Sequence, residues 1–149
     1  ERLALNKNFD INIVLLNENG QIPKKQHDTD IGYDLYSSKE YDLLPRKVTF
    51  IETGISIQLP NGCGGFILPR SGLASKHSIT SINSPGLIDP GYTGEIKIPL
   101  INHSESIYKI EINERFAQLV LINVKSVDFK IVDNLDESIR SDKGFGSTG

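Results

Sequence analysis

Methionine and tryptophan are missing from this sequence of 149 residues, and cysteine occurs once. A single cysteine closes no internal disulfide, so the fold must hold through burial and hydrogen bonding. Cys63 sits in Asn61-Gly62-Cys63-Gly64-Gly65 and reads as a small residue at the start of a strand. The three histidines, His27, His77 and His103, are scattered and lack zinc-ligand spacing. Nothing in these residue types builds a transition-metal site. No apolar run approaches the roughly 20 residues of a membrane-crossing helix, so no membrane association is expected. Positive charge is also short: 16 Lys and Arg stand against 19 Asp and Glu, a net charge of −3. Direct nucleic-acid binding wants a basic face and is not expected here. A small polyanion would have to be held by a few placed cations. No secretory signal pattern is seen, and an intracellular setting, cytoplasmic or nuclear, is expected.

What the sequence has in quantity is short strand. At 38% hydrophobic it fits one globular domain with a sizeable core. Strands are expected at Asp10–Leu16, Tyr33–Ser37, Lys47–Ile51, Thr53–Leu59 and Gly65–Leu68, then at Glu95–Asn102, Ile107–Ile112, Phe116–Val124 and Phe129–Val132. Ile55, Ile57 and Leu59 alternate with polar residues, as do Ile96, Ile98 and Leu100, which is the period of a half-buried strand. Turn signals separate these runs: Glu18-Asn19-Gly20, Leu44-Pro45-Arg46, Pro60-Asn61-Gly62 and Asp89-Pro90-Gly91. An all-β antiparallel sandwich, jelly roll or barrel follows. Helix signals are confined to Ser71–His77, with Ser71 expected as the N-cap. The polar stretch Asn17–Asp30 reads as a surface loop. Residues 1–132 read as the β-rich domain, and residues 133–149, where apolar content falls away, as a tethered arm with a Gly-rich tail.

The tail, Arg140-Ser141-Asp142-Lys143-Gly144-Phe145-Gly146-Ser147-Thr148-Gly149, cannot bury a core, but it can close over a ligand. Glycines let backbone N–H groups approach an anion closely. Ser147 and Thr148 add hydroxyl donors, and Arg140 presents a planar fork for phosphate oxygens. Phe145 offers a face on which a base can stack. A second anion site is expected at Pro69-Arg70-Ser71-Gly72-Leu73-Ala74, where a serine and unpaired backbone N–H groups open a short helix beside the fixed charge of Arg70.

Five segments in order carry a resemblance: Gly32-Tyr33-Asp34-Leu35, Pro69-Arg70-Ser71-Gly72, Gly86-Leu87-Ile88-Asp89-Pro90-Gly91-Tyr92, Arg115-Phe116-Ala117-Gln118, and Gly144–Gly149. Together they resemble the trimeric dUTPases, enzymes that cut dUTP to dUMP and pyrophosphate. The resemblance implies a jelly-roll-like homotrimer in which a mobile C-terminal arm closes a neighbouring active site. It implies that the chain keeps uracil out of DNA and supplies dUMP for dTMP synthesis.

Residue roles follow from the same resemblance. Asp89 is the expected general base that activates the attacking water. Asn83, with backbone groups of Gly86 and Ile88, would read the uracil edge, and Tyr92 would exclude a ribose 2′-hydroxyl. Arg70, Ser71, Gly72 and Gln118 are expected around the phosphates, with Arg140, Phe145, Gly146, Ser147 and Thr148 contributed by the tail. Asp34 would steady, through water, a Mg²⁺ carried on the triphosphate. Arg115 is expected to make structural pairs. The sequence departs from the family pattern at Ile31, at Gly91, at Asn113-Glu114 and at Ser141, none of which removes an expected site residue. Two rivals stay open: a dCTP deaminase, which shares the fold and needs a carboxylate at the base ring, and a nucleotide-switched regulatory or interaction protein on the same scaffold.

Overall fold

The computed structural model describes residues 9–146, and they build an almost purely antiparallel β structure. In chain order the elements are β1 (Asn12–Leu15), β2 (Tyr33–Tyr36), β3 (Tyr41–Leu43), β4 (Val48–Gln58) and β5 (Cys63–Pro69). A single helix, α1 (Ser71–His77), is followed by β6 (Ile79–Ser81), β7 (Gly86–Ile88), β8 (Glu95–Asn102), β9 (Tyr108–Ile110) and β10 (Arg115–Asn123). One four-stranded sheet runs β1-β4-β8-β6, the other β2-β10-β5-β7, and β3 with β9 form a two-stranded ribbon.

The core is fed by alternation. Along β8, Ile96, Ile98, Leu100 and Asn102 are buried while Lys97 is exposed. Ile51, Ile55 and Ile57 of β4 join them, and Leu35, Ile67, Phe116 and Leu119 contribute from the second sheet. Phe116, 1% exposed, is the largest of the fully buried side chains; truncating such a group to alanine costs about 3–5 kcal/mol. Asn102 is one of the buried polar residues and is fully used. Its Nδ2 donates to the carbonyls of Leu43 and Ser106, each at 2.8 Å, and its Oδ1 accepts from the Ser104 N–H and hydroxyl. This ties the end of β8 to the ribbon without leaving a buried polar group unpaired.

The strands expected at Lys47–Ile51 and Thr53–Leu59 are one strand, β4. Its register on β8 shifts between Glu52 and Ser56, and Gly54 in that stretch has φ +70°, where a side chain is strained. The bulge bends a single long strand into what reads as two. Ser71 is the first helical residue of α1 rather than its N-cap; Arg70, with extended backbone, takes the cap position and makes no side-chain cap bond. Strands β3, β6 and β7 are three residues each, too short to leave a period-two signal.

The strand expected at Phe129–Val132 is not formed. Phe129 and Ile131 are 96% and 99% exposed, and a strand without a neighbouring ladder has no partners for its backbone groups. From Val124 to Gly146 no residue lies in a helix or strand. Among the described residues no helix is long and apolar enough to cross a membrane.

Candidate active site

Two concavities gather the expected site residues. The first is a polar cleft of about 490 Å³ at the end of the sheet β2-β10-β5. Its side chains are set by strand register: Gln118 of β10 stands opposite Asp34 of β2, and Ala117 opposite Pro69, so Arg70 follows where β5 ends. Arg115 Nη1 lies 3.4 Å from Asp34 Oδ2, the pairing expected of it, and Gln26 Nε2 donates to the same oxygen at 2.9 Å. Arg70 Nη1 donates to the Arg115 carbonyl at 3.0 Å, and Gln118 Nε2 to the Pro69 carbonyl at 3.0 Å. Gly32 makes room for the Gln118 carboxamide, since a methyl group there would stand 2.2 Å from Gln118 Oε1. Thr29, Asp30 and Ile31 complete the rim, and Ser71 and Gly72 adjoin Arg70 at the start of α1.

Two guanidinium groups in one cleft suit a multiply charged anion, as bidentate donors with permanent charge. Each has an acidic neighbour. Asp34 pairs with Arg115, while Glu114 lies within the electrostatic reach of Arg70. Burial holds the Glu114 carboxyl above its ordinary range; its bond from the Tyr108 hydroxyl and the charges of Arg70 and His77 pull the other way, and Glu111 adds to the rise. Tyr108 is likewise pushed up, first by burial. His77, for which the sequence suggests no role, tilts against the Tyr108 ring with centroids 4.7 Å apart.

The second concavity, about 150 Å³, is lined by Asn83, Gly86, Ile88 and Tyr92, together with Ile67, Lys97 and neighbours from β8. Strand β7 hangs on β5 through the pairs Ile67↔Gly86 and Gly65↔Ile88, which places the hairpin backbone along one wall. Gly86 lies under the Asn83 carboxamide. Tyr92 is pinned at both ends: its N–H donates to the Asp89 carbonyl at 3.0 Å, and its hydroxyl to the Glu95 carbonyl at 2.6 Å. Asp89 is exposed on this turn, and its carboxylate makes no hydrogen bond among the described residues. It is free to take a water.

Among the described residues, the arm meets neither cavity. Arg140 turns back on its own chain, Nε donating to the Lys143 carbonyl at 2.7 Å, and Phe145 is wholly exposed. Gly146 follows with φ +81°. Ser147 and Thr148 lie outside the described residues. The structure thus brings Asp34, Arg70 and Gln118 together, and separately Asn83, Gly86, Ile88 and Tyr92. Among the described residues none lines both. Gln26 is the cleft residue that sequence reasoning passed over, since it stands in a loop whose polar composition carries no signal of its own.

The donor set also bears on a divalent cation. Among the described residues no three His, Cys, Asp or Glu side chains gather into a cage. Asp34 offers one carboxylate with an oxygen already shared by Arg115 and Gln26. That set fits a hydrated Mg²⁺ brought in on phosphates, which keeps most of its waters and needs one outer carboxylate.

Comparison with known proteins now bears on these two cavities. The family model for dUTPase matches residues 18–149, a span that contains both cavities and the whole arm. The chain belongs to the dUTPase family. It is 45% identical over 141 residues to the deoxyuridine 5'-triphosphate nucleotidohydrolase of Clostridium tetani, covering 95% of this chain and 97% of that one. Among solved structures, a mutant dUTPase of Staphylococcus bacteriophage 80alpha with dUpNHpp overlays with a TM-score of 0.87 at 30% identity, covering 94% of this chain and 98% of the other. A dUTPase from phage phi11 of S. aureus, described with a structural Mg(II) ion, overlays with a TM-score of 0.80 at 26% identity, covering 87% and 100%. The all-β, jelly-roll-like reading of the fold agrees with both overlaps.

Proposed function

We propose that this chain hydrolyses dUTP to dUMP and pyrophosphate, and so withholds uracil from DNA while supplying dUMP for thymidylate synthesis. The observation that carries the reading is the hairpin: an exposed carboxylate, Asp89, one turn from a pinned ring, Tyr92, at a cavity walled by Asn83, Gly86 and Ile88. A water held by Asp89 gives up a proton to that carboxylate as its oxygen attacks the α-phosphorus. The bond from this phosphorus to the bridging oxygen breaks, pyrophosphate leaves, and dUMP keeps the new oxygen.

The base is read by the backbone of Gly86 and Ile88 and by the Asn83 carboxamide. With a base seated over them, polar readers of this kind reject cytosine, because a mismatch leaves them unpaired. The Tyr92 ring, fixed from both ends, fills the space a ribose 2′-hydroxyl would need. Arg70, Ser71, Gly72 and Gln118 hold the phosphates. Asp34 would hold, through water, the Mg²⁺ on the triphosphate, which supplies charge neutralisation on the phosphate oxygens. A deaminase would need an acid at the base ring, whereas amide, aliphatic, aromatic and ammonium groups line this cavity.

The separation of the two cavities in one chain, neither of them lined by a described residue of the arm, supports assembly. We take the working unit to be a homotrimer with three shared sites. Each takes its base-reading hairpin from one subunit and its phosphate cleft from a second. The arm, residues 133–149, comes from a third and brings Arg140, Phe145, Gly146, Ser147 and Thr148. The substrate belongs to the deoxynucleotide pool that feeds polymerases, which places the enzyme inside the cell, in cytoplasm or nucleus. Pyrophosphate release from dUTP, compared with dCTP, dTTP and UTP, tests the reading. Release from dUTP alone supports it; ammonia from dCTP, or nucleotide binding without release, overturns it.

A further inference from the structure

A ring that excludes a hydroxyl group has to be held still, yet Tyr92 is 48% exposed. Packing does not fix a side chain that open, so its hydrogen bonds must do so. The Tyr92 hydroxyl donates to the Glu95 carbonyl at 2.6 Å, three residues along the same hairpin. The ring reaches that carbonyl by lying over Gly94, where a methyl group would stand 2.9 Å from the hydroxyl oxygen and 3.0 Å from Cζ. Gly94 is not among the glycines of positive φ. Glycine here answers to the ring above it.

Glu95 is itself tied down from the other side. It is the first residue of β8 and stands opposite Ser56 of β4. Gly54 falls where the β4–β8 register skips, and its N–H donates to Glu95 Oε2 at 3.0 Å. Beside it, Thr53 Oγ1 donates to the Ile96 carbonyl at 2.7 Å. Lys97 pairs with Glu52 rather than with Glu95, so the work of the Glu95 carboxylate is to hold a backbone donor. One chain of bonds therefore runs from the β4 bulge, through both ends of Glu95, to the Tyr92 ring.

We propose that Glu95 is a positioning residue for sugar selection. Its carboxylate anchors the start of β8 on the Gly54 N–H, and its carbonyl then holds the Tyr92 hydroxyl, so that the ring stays at the cavity. With the anchor cut, the ring swings, and a ribose 2′-hydroxyl finds room.

This rests on the reading of Tyr92 as the group that excludes ribose, so the experiment keeps the two apart. The parent protein and the Glu95→Ala, Glu95→Gln, Tyr92→Phe and Tyr92→Ala variants are compared by pyrophosphate release from UTP and from dUTP. The quantity read is the UTP/dUTP ratio of kcat/KM. In Glu95→Ala that ratio rises about 10-fold, the scale of one lost hydrogen bond to a charged group. Glu95→Gln keeps an acceptor oxygen for the Gly54 N–H and restores most of the parent's selectivity. Tyr92→Phe, which removes only the hydroxyl, raises the ratio as Glu95→Ala does, and combining the two adds nothing further. Glu95→Asp, which draws the carboxylate back by one methylene, gives a smaller rise and serves if Glu95→Ala folds poorly. The proposal is overturned if Tyr92→Ala raises the ratio while Glu95→Ala and Tyr92→Phe leave it at the parent value. It is also overturned if Glu95→Gln is no more selective than Glu95→Ala, or if the effect of Glu95→Ala persists undiminished in Tyr92→Phe. A Tyr92→Ala enzyme with the parent's ratio would instead overturn the reading of Tyr92 itself.

Discussion

Gln118 lies against Gly32, so closely that a methyl group at residue 32 would stand 2.2 Å from Gln118 Oε1 and 3.1 Å from its Cδ. The clash falls on the end of a flexible side chain rather than on backbone. Gly32→Ala should therefore leave folding nearly intact and move the carboxamide out of its place on the Pro69 carbonyl. Displacing one polar contact predicts a KM for dUTP raised about 10-fold, with the melting temperature within a few degrees of the parent. An unchanged KM would remove Gln118 from the phosphate site.

Divalent cation dependence follows from the single carboxylate at Asp34. EDTA should abolish most of the activity, and Mg²⁺ should restore it, as expected of an ion proposed to arrive with the nucleotide. Asp34→Asn should shift the Mg²⁺ concentration for half-activity upward while the folded protein persists. Zinc found tightly held in active, dialysed protein would contradict this assignment.

Much of the architecture is written in period two. Ile55-Ser56-Ile57-Gln58-Leu59 and Ile96-Lys97-Ile98-Pro99-Leu100 announce the two strands that become β4 and β8, and both bury their apolar face as expected. The bulge at Gly54 is not legible, nor is Tyr41–Leu43 or its pairing with the strand expected at Ile107–Ile112, since they depend on partners distant in sequence. The candidate site divides in the same way. Segments with unusual local composition, such as Asp89-Pro90-Gly91-Tyr92, can be picked out directly. Gln26 cannot, because a loop amide gains meaning only when the fold sets Asp34 beside it. Phe129–Val132 misleads for the opposite reason: its residues favour a strand, yet within one chain no ladder takes it up.

The carboxylate of Asp89 is expected to be replaceable in shape but not in chemistry. Asp89→Asn retains the turn and the Tyr92 N–H bond to the residue-89 carbonyl, but it cannot accept a proton. A positioned general base is worth roughly 100- to 10,000-fold in rate. Turnover should fall by that factor while nucleotide affinity holds or improves, as a negative charge near the phosphates is lost. Pre-steady-state turnover with dUTP measures it directly, and near-parent rates would exclude Asp89 as the base.

Glu114 also gives a stability prediction with a definite sign. Burial raises its pKa in the folded protein, so folding favours the protonated form relative to the unfolded chain. Its contribution is fully present below the ordinary Glu range and is lost as pH rises through the folded value. Glu114→Gln, neutral at every pH, should then melt a few degrees above the parent near pH 8. The gap should close toward pH 4, and scanning calorimetry across that range checks it. A gap that widens on acidification would mean that the ionised carboxylate is the better-paired form in the folded state.

The arm leaves the last question, which concerns assembly. Val127, Phe129, Ile131, Leu135, Ile139 and Phe145 are all exposed in a single chain, and Arg140 is occupied only by its own turn. Ordering such a segment costs about 1–2 kcal/mol per backbone residue fixed. Stacking a base on Phe145, worth roughly 1–3 kcal/mol, and charge-assisted contacts from Arg140 would offset that only over bound nucleotide. Deleting residues 144–149 should therefore leave a folded trimer with little activity. Unfolding this truncation together with Asp89→Asn chains and refolding the mixture should restore activity. Some sites would then draw an intact Asp89 from one chain and an intact tail from another. With random mixing of equal amounts, activity should rise well above that of either parent preparation. A mixture no more active than its parents, or a fully active monomer in sedimentation, would show that each chain completes its own site.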